Sequence, residues 1–264
     1  VDYATESDKR LWLIGGTTES ADLAAAIALA HLPCTITVTT EAARSLYPPV
    51  PGLRVLVGRL EVEKLEQFFQ EENIVAVLDA SHPYAIEVSQ AAIAMATHQQ
   101  IPYLRYERPA VKTVSSSDAS PVIQLDSFNT LLTGNYLQDQ RVLLTIGYKP
   151  LVNFQPWQDR STLFARILPS LSALTAATKA GFTSDRLLAI RPPVPAELEK
   201  ALWRHWGISL VVTKASGTPG GEDVKRDVAA ELGISLIVIT RPDVDYPQQT
   251  SNLLEALEFC RQHL

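Results

Sequence analysis

Strand-length apolar runs alternate with helical patterns almost from one end of this 264-residue chain to the other, and that alternation leaves few folds open. A run such as Leu11 to Ile14, apolar at every position, suits a strand covered on both faces by helices, as in a parallel sheet. The pattern predicts strands at 10–14, 33–39, 54–57, 74–79 and 101–104, with helices at 19–30, 61–71 and 83–98. A polar, serine-rich stretch at 111–122 then breaks the rhythm. It resumes with strands near 141–145, 162–166, 187–190, 209–212 and 235–239 and helices at 170–180, 196–205, 222–232 and 251–262. Repeated βα units of this kind predict an α/β fold of two parallel-sheet domains. The expected divisions are a loose polar tail over 1–10, a first domain over 11–114 and a second over 115–264. Ligands of such open sheets bind beyond the carboxyl ends of the strands, so an interdomain cleft is the expected place to look.

Composition narrows the function classes. A net charge of −6 argues against non-specific nucleic-acid binding, which draws on excess Lys and Arg. No apolar run reaches the length of a membrane span, and the first ten residues lack the apolar core of a signal peptide. Cys34 and Cys260 have no C-x-x-C partner and the five histidines show no metal-binding spacing, so no metal site is expected and a cytoplasmic location is. Charge is unevenly placed, however. "EVEKLEQFFQEEN", 61–73, reads as an acidic amphipathic helix, whereas between Arg141 and Arg191 seven Lys and Arg residues face only Asp159 and Asp185. That basic third suits an anionic small ligand.

Four stretches carry candidate chemistry. In "LWLIGGTTESADLAAAIA", 11–28, Gly15 and Gly16 allow a tight turn between strand and helix, where free N–H groups at the helix start can meet a phosphate. In "VLDASHPYA", 77–85, a strand delivers Asp79, Ser81 and His82 to the same sheet edge, with Pro83 placed to open the next helix and Ser81 or His82 to cap it. In "YLRYERP", 103–109, Arg105 and Arg108 offer planar guanidinium groups to carboxylate or phosphate, or pair with Glu107. In the stretch from Val211 to Pro242, a strand feeds Lys214, Ser216 and Gly217 and a glycine-rich loop that is not a Walker A motif.

In this order, "GGTTE", "DASHPYA", "LRYERP", "RILP", "TKASG" and the run from Lys225 to Pro242 resemble the precorrin-6A reductases of cobalamin biosynthesis over nearly the whole chain. Ser81 stands where that family has threonine, and "IRPPV" at 190–194, Ala215 and Val111 also depart from its pattern. The resemblance implies two Rossmann-like domains and an oxidoreductase that uses NADPH to saturate one carbon–carbon double bond of a corrin precursor, with or without cobalt. It places Gly15, Gly16, Thr17, Thr18 and Glu19 at the dinucleotide, together with Asp79 and Ser81. Thr39, Thr40 and Arg44, beyond the second strand, are the candidates for the 2′-phosphate, with Glu41 among them. Hydride addition needs a proton at the neighbouring carbon, for which His82, Tyr84, Lys214 or a water is the donor. A large, flat tetrapyrrole rich in carboxylates calls for cations, drawn from Arg105, Arg108, Lys149, Arg166, Arg191, Lys214 and Lys225, with Ser216 and the Gly217 N–H as further contacts. Two other readings fit the same residues: a cofactor-independent tetrapyrrole enzyme of the uroporphyrinogen III synthase type, and a non-catalytic NADP-binding sensor.

Overall fold

The structure is a computed structural model that describes residues 9–108 and 122–264. The chain forms two compact units, the first comprising Val1–Pro109 and Asp243–Leu264, the second Ala110–Pro242. The first unit opens with β1 (Arg10–Ile14), α1 (Thr18–Leu29), β2 (Cys34–Val38), α2 (Glu41–Arg44) and β3 (Leu53–Val57). A single 3-10 turn at Val62–Lys64 leads into α3 (Leu65–Glu71), followed by β4 (Ile74–Asp79), α4 (Ile86–His98) and β5 (Tyr103–Tyr106). The second unit runs β6 (Val122–Leu125), α5 (Phe128–Thr133), β7 (Arg141–Leu144), a 3-10 segment at Lys149–Trp157, β8 (Thr162–Ile167), α6 (Leu171–Lys179) and β9 (Leu187–Ala189). It continues with α7 (Ala196–His205), β10 (Leu210–Lys214), α8 (Glu222–Leu232) and β11 (Ser235–Ile239). The chain ends with β12 (Gln249–Thr250) and α9 (Leu253–Gln262), which belong to the first unit.

Each unit holds one six-stranded sheet, in the orders β12-β5-β4-β1-β2-β3 and β6-β11-β10-β7-β8-β9, with every strand pair parallel. Both orders are the doubly wound arrangement in which the chain leaves the middle of the sheet in opposite directions. In the first sheet the reversal lies between β1 and β4, in the second between β7 and β10. The sixth strand of each sheet comes from outside the βα series. β12 arrives from the far end of the chain, whereas β6 precedes the strands it joins.

Burial follows from the sequence pattern. Side chains alternate across β1, so Leu11 and Leu13 pack with Leu23, Ala24 and Ile27 of α1 and with Ala256, Phe259 and Cys260 of α9. Trp12 and Ile14 face the other way, against Leu65, Phe68 and Phe69 of α3 and Ala92 and Ala96 of α4. The indole of Trp12 meets both phenylalanines edge-on, at centroid distances of 5.2 and 5.5 Å. In the second unit Leu143, Val211, Leu236 and Val238 of the sheet pack with Trp203 of α7 and Val228 and Ala229 of α8.

Three expectations are corrected and one falls outside the described residues. The tail was expected to include residue 10, but Arg10 begins β1, is buried, and donates to Thr35 Oγ1 and to the carbonyls of Cys34 and Gly52, each at 2.8 Å; the remainder of that tail, 1–8, lies outside the described residues. The last residues do not belong with the second domain, because β12 pairs with β5 and α9 covers the first sheet. The expected boundary at 114/115 also lies outside the described residues. Helix α4 begins at Ile86 rather than at Pro83, and its N-cap, Ala85, makes no side-chain capping bond. Pro83 and Tyr84 instead form a turn closed by Ala85 N–H donating to the His82 carbonyl at 2.7 Å, with Tyr84 N–H donating to His82 Nδ1 at 3.2 Å.

Candidate functional site

The first unit places its candidate residues where the sheet order reverses. β1 ends at Ile14, and the chain turns through Gly15 and Gly16, the latter at φ +100°, a conformation glycine adopts without strain. A Cβ on Gly16 would meet nothing within 4 Å. Thr17 then caps α1 in a capping box: its hydroxyl accepts the Ser20 N–H at 3.1 Å while Ser20 Oγ accepts the Thr17 N–H at 3.0 Å. Thr17 Oγ1 also donates to the Ala80 carbonyl at 2.8 Å, tying the turn after β1 to the end of β4.

The main-chain amides of this turn are not bare, as the sequence had suggested. Gly15 N–H donates to the Thr37 carbonyl at 3.0 Å, Gly16 N–H to the Tyr47 hydroxyl at 2.7 Å, and Thr17 N–H to Ser20 Oγ. The part of the turn left to face an anion is therefore the first turn of α1, which begins at Thr18 and Glu19. Glu19, an anion itself, is ion-paired with Arg108.

Beside this turn lies a buried polar cluster. Asp79 is fully buried, and its two oxygens accept from Ser81 N–H and Arg105 at 2.9 Å each and from Ser89 Oγ and the Tyr103 hydroxyl at 2.6 Å each. Arg105, 1% exposed, also donates to Ser81 Oγ at 3.1 Å and to Glu107 at 3.0 Å, and its guanidinium lies 5.2 Å from the centre of the Tyr246 ring. Burial is the largest single influence and opposes the Arg105 charge, but Asp79, Tyr246 and Glu107 together outweigh it and raise the guanidinium pKa. Burial, and then the same carboxylate, pushes the Tyr103 hydroxyl up, so it stays protonated and donates. Asp79 and Arg105 were expected to touch cofactor and substrate; both Asp79 oxygens are taken by internal donors, while Arg105, paired with it, also lines the rim beside the turn. That rim, a shallow depression, is lined by Thr17, Glu19, Ser81, Pro83, Tyr106 and Arg108 among others. His82 is exposed and Tyr84 half-buried just beyond it, while Thr39, Thr40 and Arg44 are exposed after β2. Thr40 caps α2 and Arg44 stands 3.9 Å from Glu41.

In the second unit the corresponding edge carries ammonium groups. Lys214, at the end of β10, is half-buried with its Nζ 5.7 Å from the centre of the Phe128 ring. Burial, and then the neighbouring Lys149, lowers its pKa to about 8. Lys149 and Arg191 are exposed. Four further expected substrate contacts are engaged or buried within the unit. Lys225, 1% exposed, donates to the Gly220 and Gly221 carbonyls at 2.7 and 2.8 Å, and burial followed by Arg166 lowers its pKa to about 8. Arg166 is paired with buried Glu199, which also accepts from Trp203 Nε1 at 3.0 Å. Gly217 N–H is taken by the buried Glu222 carboxylate at 3.0 Å. Ser216 is buried too, filling the place a Cβ on Gly220 would need: its Oγ lies 1.9 Å from that position.

Sequence reasoning missed Tyr47, Ser20, Ser89 and Glu222, all buried polar residues that hold these turns. The S/T-x-x-S capping pattern at Thr17–Ser20 was the one signal available for Ser20; nothing local marks Tyr47. Among the described residues no group of three or more His, Cys, Asp or Glu is arranged to hold a metal ion, and no helix is long and apolar enough to cross a membrane.

The family model described as "Precorrin-6x reductase CbiJ/CobK" matches residues 10–261. The chain belongs to the precorrin-6x reductase family. Among curated members, the cobalt-precorrin-6A reductase of Synechocystis sp. is 45% identical over 257 residues, covering 96% of this chain and 97% of that protein. The cobalt-precorrin-6A reductase of Priestia megaterium is 33% identical, covering 89% and 91%. A solved structure titled "CobK precorrin-6A reductase" superposes with a TM-score of 0.79 over 97% of each chain at 22% identity, which establishes the shared fold. As a precorrin-6x reductase the chain is an oxidoreductase, and the α/β architecture of two parallel sheets is that of its family.

Proposed function

We propose that the chain catalyses the NADPH-dependent reduction of one carbon–carbon double bond of cobalt-precorrin-6A in cobalamin biosynthesis. The cobalt-containing substrate is preferred because both relatives described above carry it in their names. The reading of the cofactor site rests on one observation: a glycine turn, open at Gly16, delivers the start of a twelve-residue helix to the reversal point of a doubly wound sheet. Helix starts of that kind favour phosphate through free N–H groups and the helix dipole. The pairing of Glu19 with Arg108 offsets the carboxylate that would otherwise repel the pyrophosphate. Thr39, Thr40 and Arg44 receive the 2′-phosphate on the exposed segment after β2.

The bound cofactor supplies a hydride; the protein positions, neutralises charge and supplies a proton. Ser81, held by Asp79 and Arg105, and the His82–Tyr84 turn stand at the end of β4, beside that dinucleotide turn. Lys149, Lys214 and Arg191 take carboxylates of the tetrapyrrole at the edge of the second sheet. A Lys214 ammonium with a pKa of about 8 gives up a proton near neutral pH far more readily than an ordinary lysine, which makes it the favoured donor over His82 and Tyr84.

Anaerobic incubation with NADPH and cobalt-precorrin-6A tests this reading. Loss of the reduced-cofactor absorbance together with a product heavier by two hydrogens is the expected result. Binding of cofactor without turnover, or turnover independent of any nicotinamide, refutes it.

A further inference from the structure

We propose that Tyr47 is a positioning residue for the dinucleotide: its hydroxyl, seated in the space that Gly15 leaves by lacking a side chain, holds the Gly16–Ser20 turn in the shape that presents α1 to the pyrophosphate. This inference rests on the nicotinamide reading above. Tyr47 is 6% exposed and belongs to the core cluster that includes Leu11, Leu13, Leu23 and Ile36. Its hydroxyl accepts the Gly16 N–H at 2.7 Å and lies 2.6 Å from Ser20 Oγ. Ser20 Oγ donates to the Thr17 carbonyl at 2.7 Å, so the proton between tyrosine and serine is the tyrosine's. One relay therefore runs from Gly16 N–H through Tyr47 and Ser20 to the Thr17 carbonyl, and Thr17 N–H closes it on Ser20 Oγ. Burial raises the Tyr47 pKa, which keeps this donor protonated.

The first glycine has its reason here. A Cβ on Gly15 would stand 2.4 Å from the Tyr47 hydroxyl and 3.1 Å from both the ring carbon that bears it and Ile36 Cγ2, so the hydroxyl is the nearest obstacle. Gly15 thus serves the approach of Tyr47, while Gly16 serves the left-handed turn. Tyr47 lies three residues beyond the end of α2, with its N–H donating to the Arg44 carbonyl at 3.1 Å. A single residue consequently ties the segment assigned to the 2′-phosphate to the turn assigned to the pyrophosphate.

The test compares NADPH with adenosine 2′-monophosphate, which lacks the pyrophosphate, on the full chain and its Tyr47→Phe variant. Phenylalanine keeps the ring packing and removes the relay. NADPH affinity is expected to fall on the order of 10-fold, the effect of about one charge-neutral hydrogen bond lost with its partner left unsatisfied. Affinity for adenosine 2′-monophosphate and KM for the corrin precursor are expected to stay within about twofold. Gly15→Ala, which displaces the hydroxyl, is expected to weaken NADPH alone but to add little in the Tyr47→Phe background, because both changes break one relay. Unchanged or tighter NADPH binding by Tyr47→Phe overturns the inference, as does an equal loss of both ligands. If Tyr47→Phe does not fold, Ser20→Ala breaks the same relay and carries the same comparison. A wild-type protein that binds no NADPH at all overturns the nicotinamide reading first, and this inference with it.

Discussion

At the carboxyl edge of the first sheet, the turn after β1 is closed by neutral groups, with Tyr47 and Ser20 satisfying its amides and Glu19 balanced by Arg108. At the matching edge of the second sheet, the loop after β10 is closed by an ammonium group, Lys225, drawn onto two carbonyls, while Lys214 ends β10 with Lys149 near it. The two sheets share one strand order, so the order alone fixes only where a ligand is met. The loops decide what is met there. A turn with neutral closure and a helix start suits an anion held by main chain, whereas the lysines of the second edge suit one held by side-chain charge.

The largest test of this contrast removes the charge that the first edge keeps buried. Asp79→Ala leaves Arg105 buried with Glu107 as its remaining carboxylate partner, and losing one member of such a pair costs about 3–5 kcal/mol. Hydrogen exchange is expected to show that loss in the amides of β1 and β4 and to leave β7 and β10 unchanged. Equal loss in both sheets would mean that the two units do not unfold independently.

Next in size is the charge that the second edge presents. Lys214→Met is expected to lower kcat/KM for the corrin precursor on the order of 100-fold, the worth of one charge-assisted hydrogen bond, with NADPH affinity unchanged. Steady-state kinetics with each substrate varied in turn separates the two. A loss confined to the NADPH term would reverse the assignment of the two edges.

Much of this was legible in the sequence, and the reasons for what was not are physical. β1, β4, β10 and β11 are covered on both faces and read as unbroken apolar runs, so periodicity located them within a residue or two. β12 is two residues long on a sheet edge and β6 is mostly exposed, and neither carries enough apolar signal to stand out. The return of the chain to the first unit is a long-range pairing that no local pattern encodes. At the site, the sequence points to the turns and the lysines and, through the family resemblance, to Asp79, Arg105, Arg166 and Lys225 as ligand contacts, but it does not show that these four charges are buried. Each is buried against a partner far along the chain or across a tight loop, and those partners become visible only in the fold.

A smaller effect sharpens the electrostatic side of the contrast. Burial and Lys149 hold the Lys214 pKa below its ordinary 10.5, at about 8. The cation is therefore present below that pH and is lost as pH rises through it. kcat/KM for the corrin precursor is expected to fall toward tenfold per unit above about pH 8, following loss of the protonated form. Lys149→Ala removes one of the two depressing influences and is expected to move the break upward. A profile that does not respond to Lys149 would place the titrating group elsewhere, with His82 the first alternative to examine by His82→Gln.

The smallest expected effect lies in the neutral turn itself, and it separates the two glycines that the sequence writes as a pair. At Gly16 a methyl group meets no neighbour, so Gly16→Ala carries only the conformational cost of a left-handed φ, about 1–2 kcal/mol. Part of that cost is relieved if the turn shifts, and a shifted turn misdirects the start of α1. A rise in KM for NADPH of roughly tenfold or less is the expected outcome, with KM for the corrin precursor unchanged. Because no hydroxyl is displaced, this effect should persist in full in the Tyr47→Phe background, where that of Gly15→Ala shrinks. Two glycines side by side thus answer to different forces, one to the space a distant tyrosine needs and the other to the handedness of the backbone. An effect of Gly16→Ala that also vanishes without the tyrosine hydroxyl would mean that the left-handed turn exists only because the hydroxyl holds it.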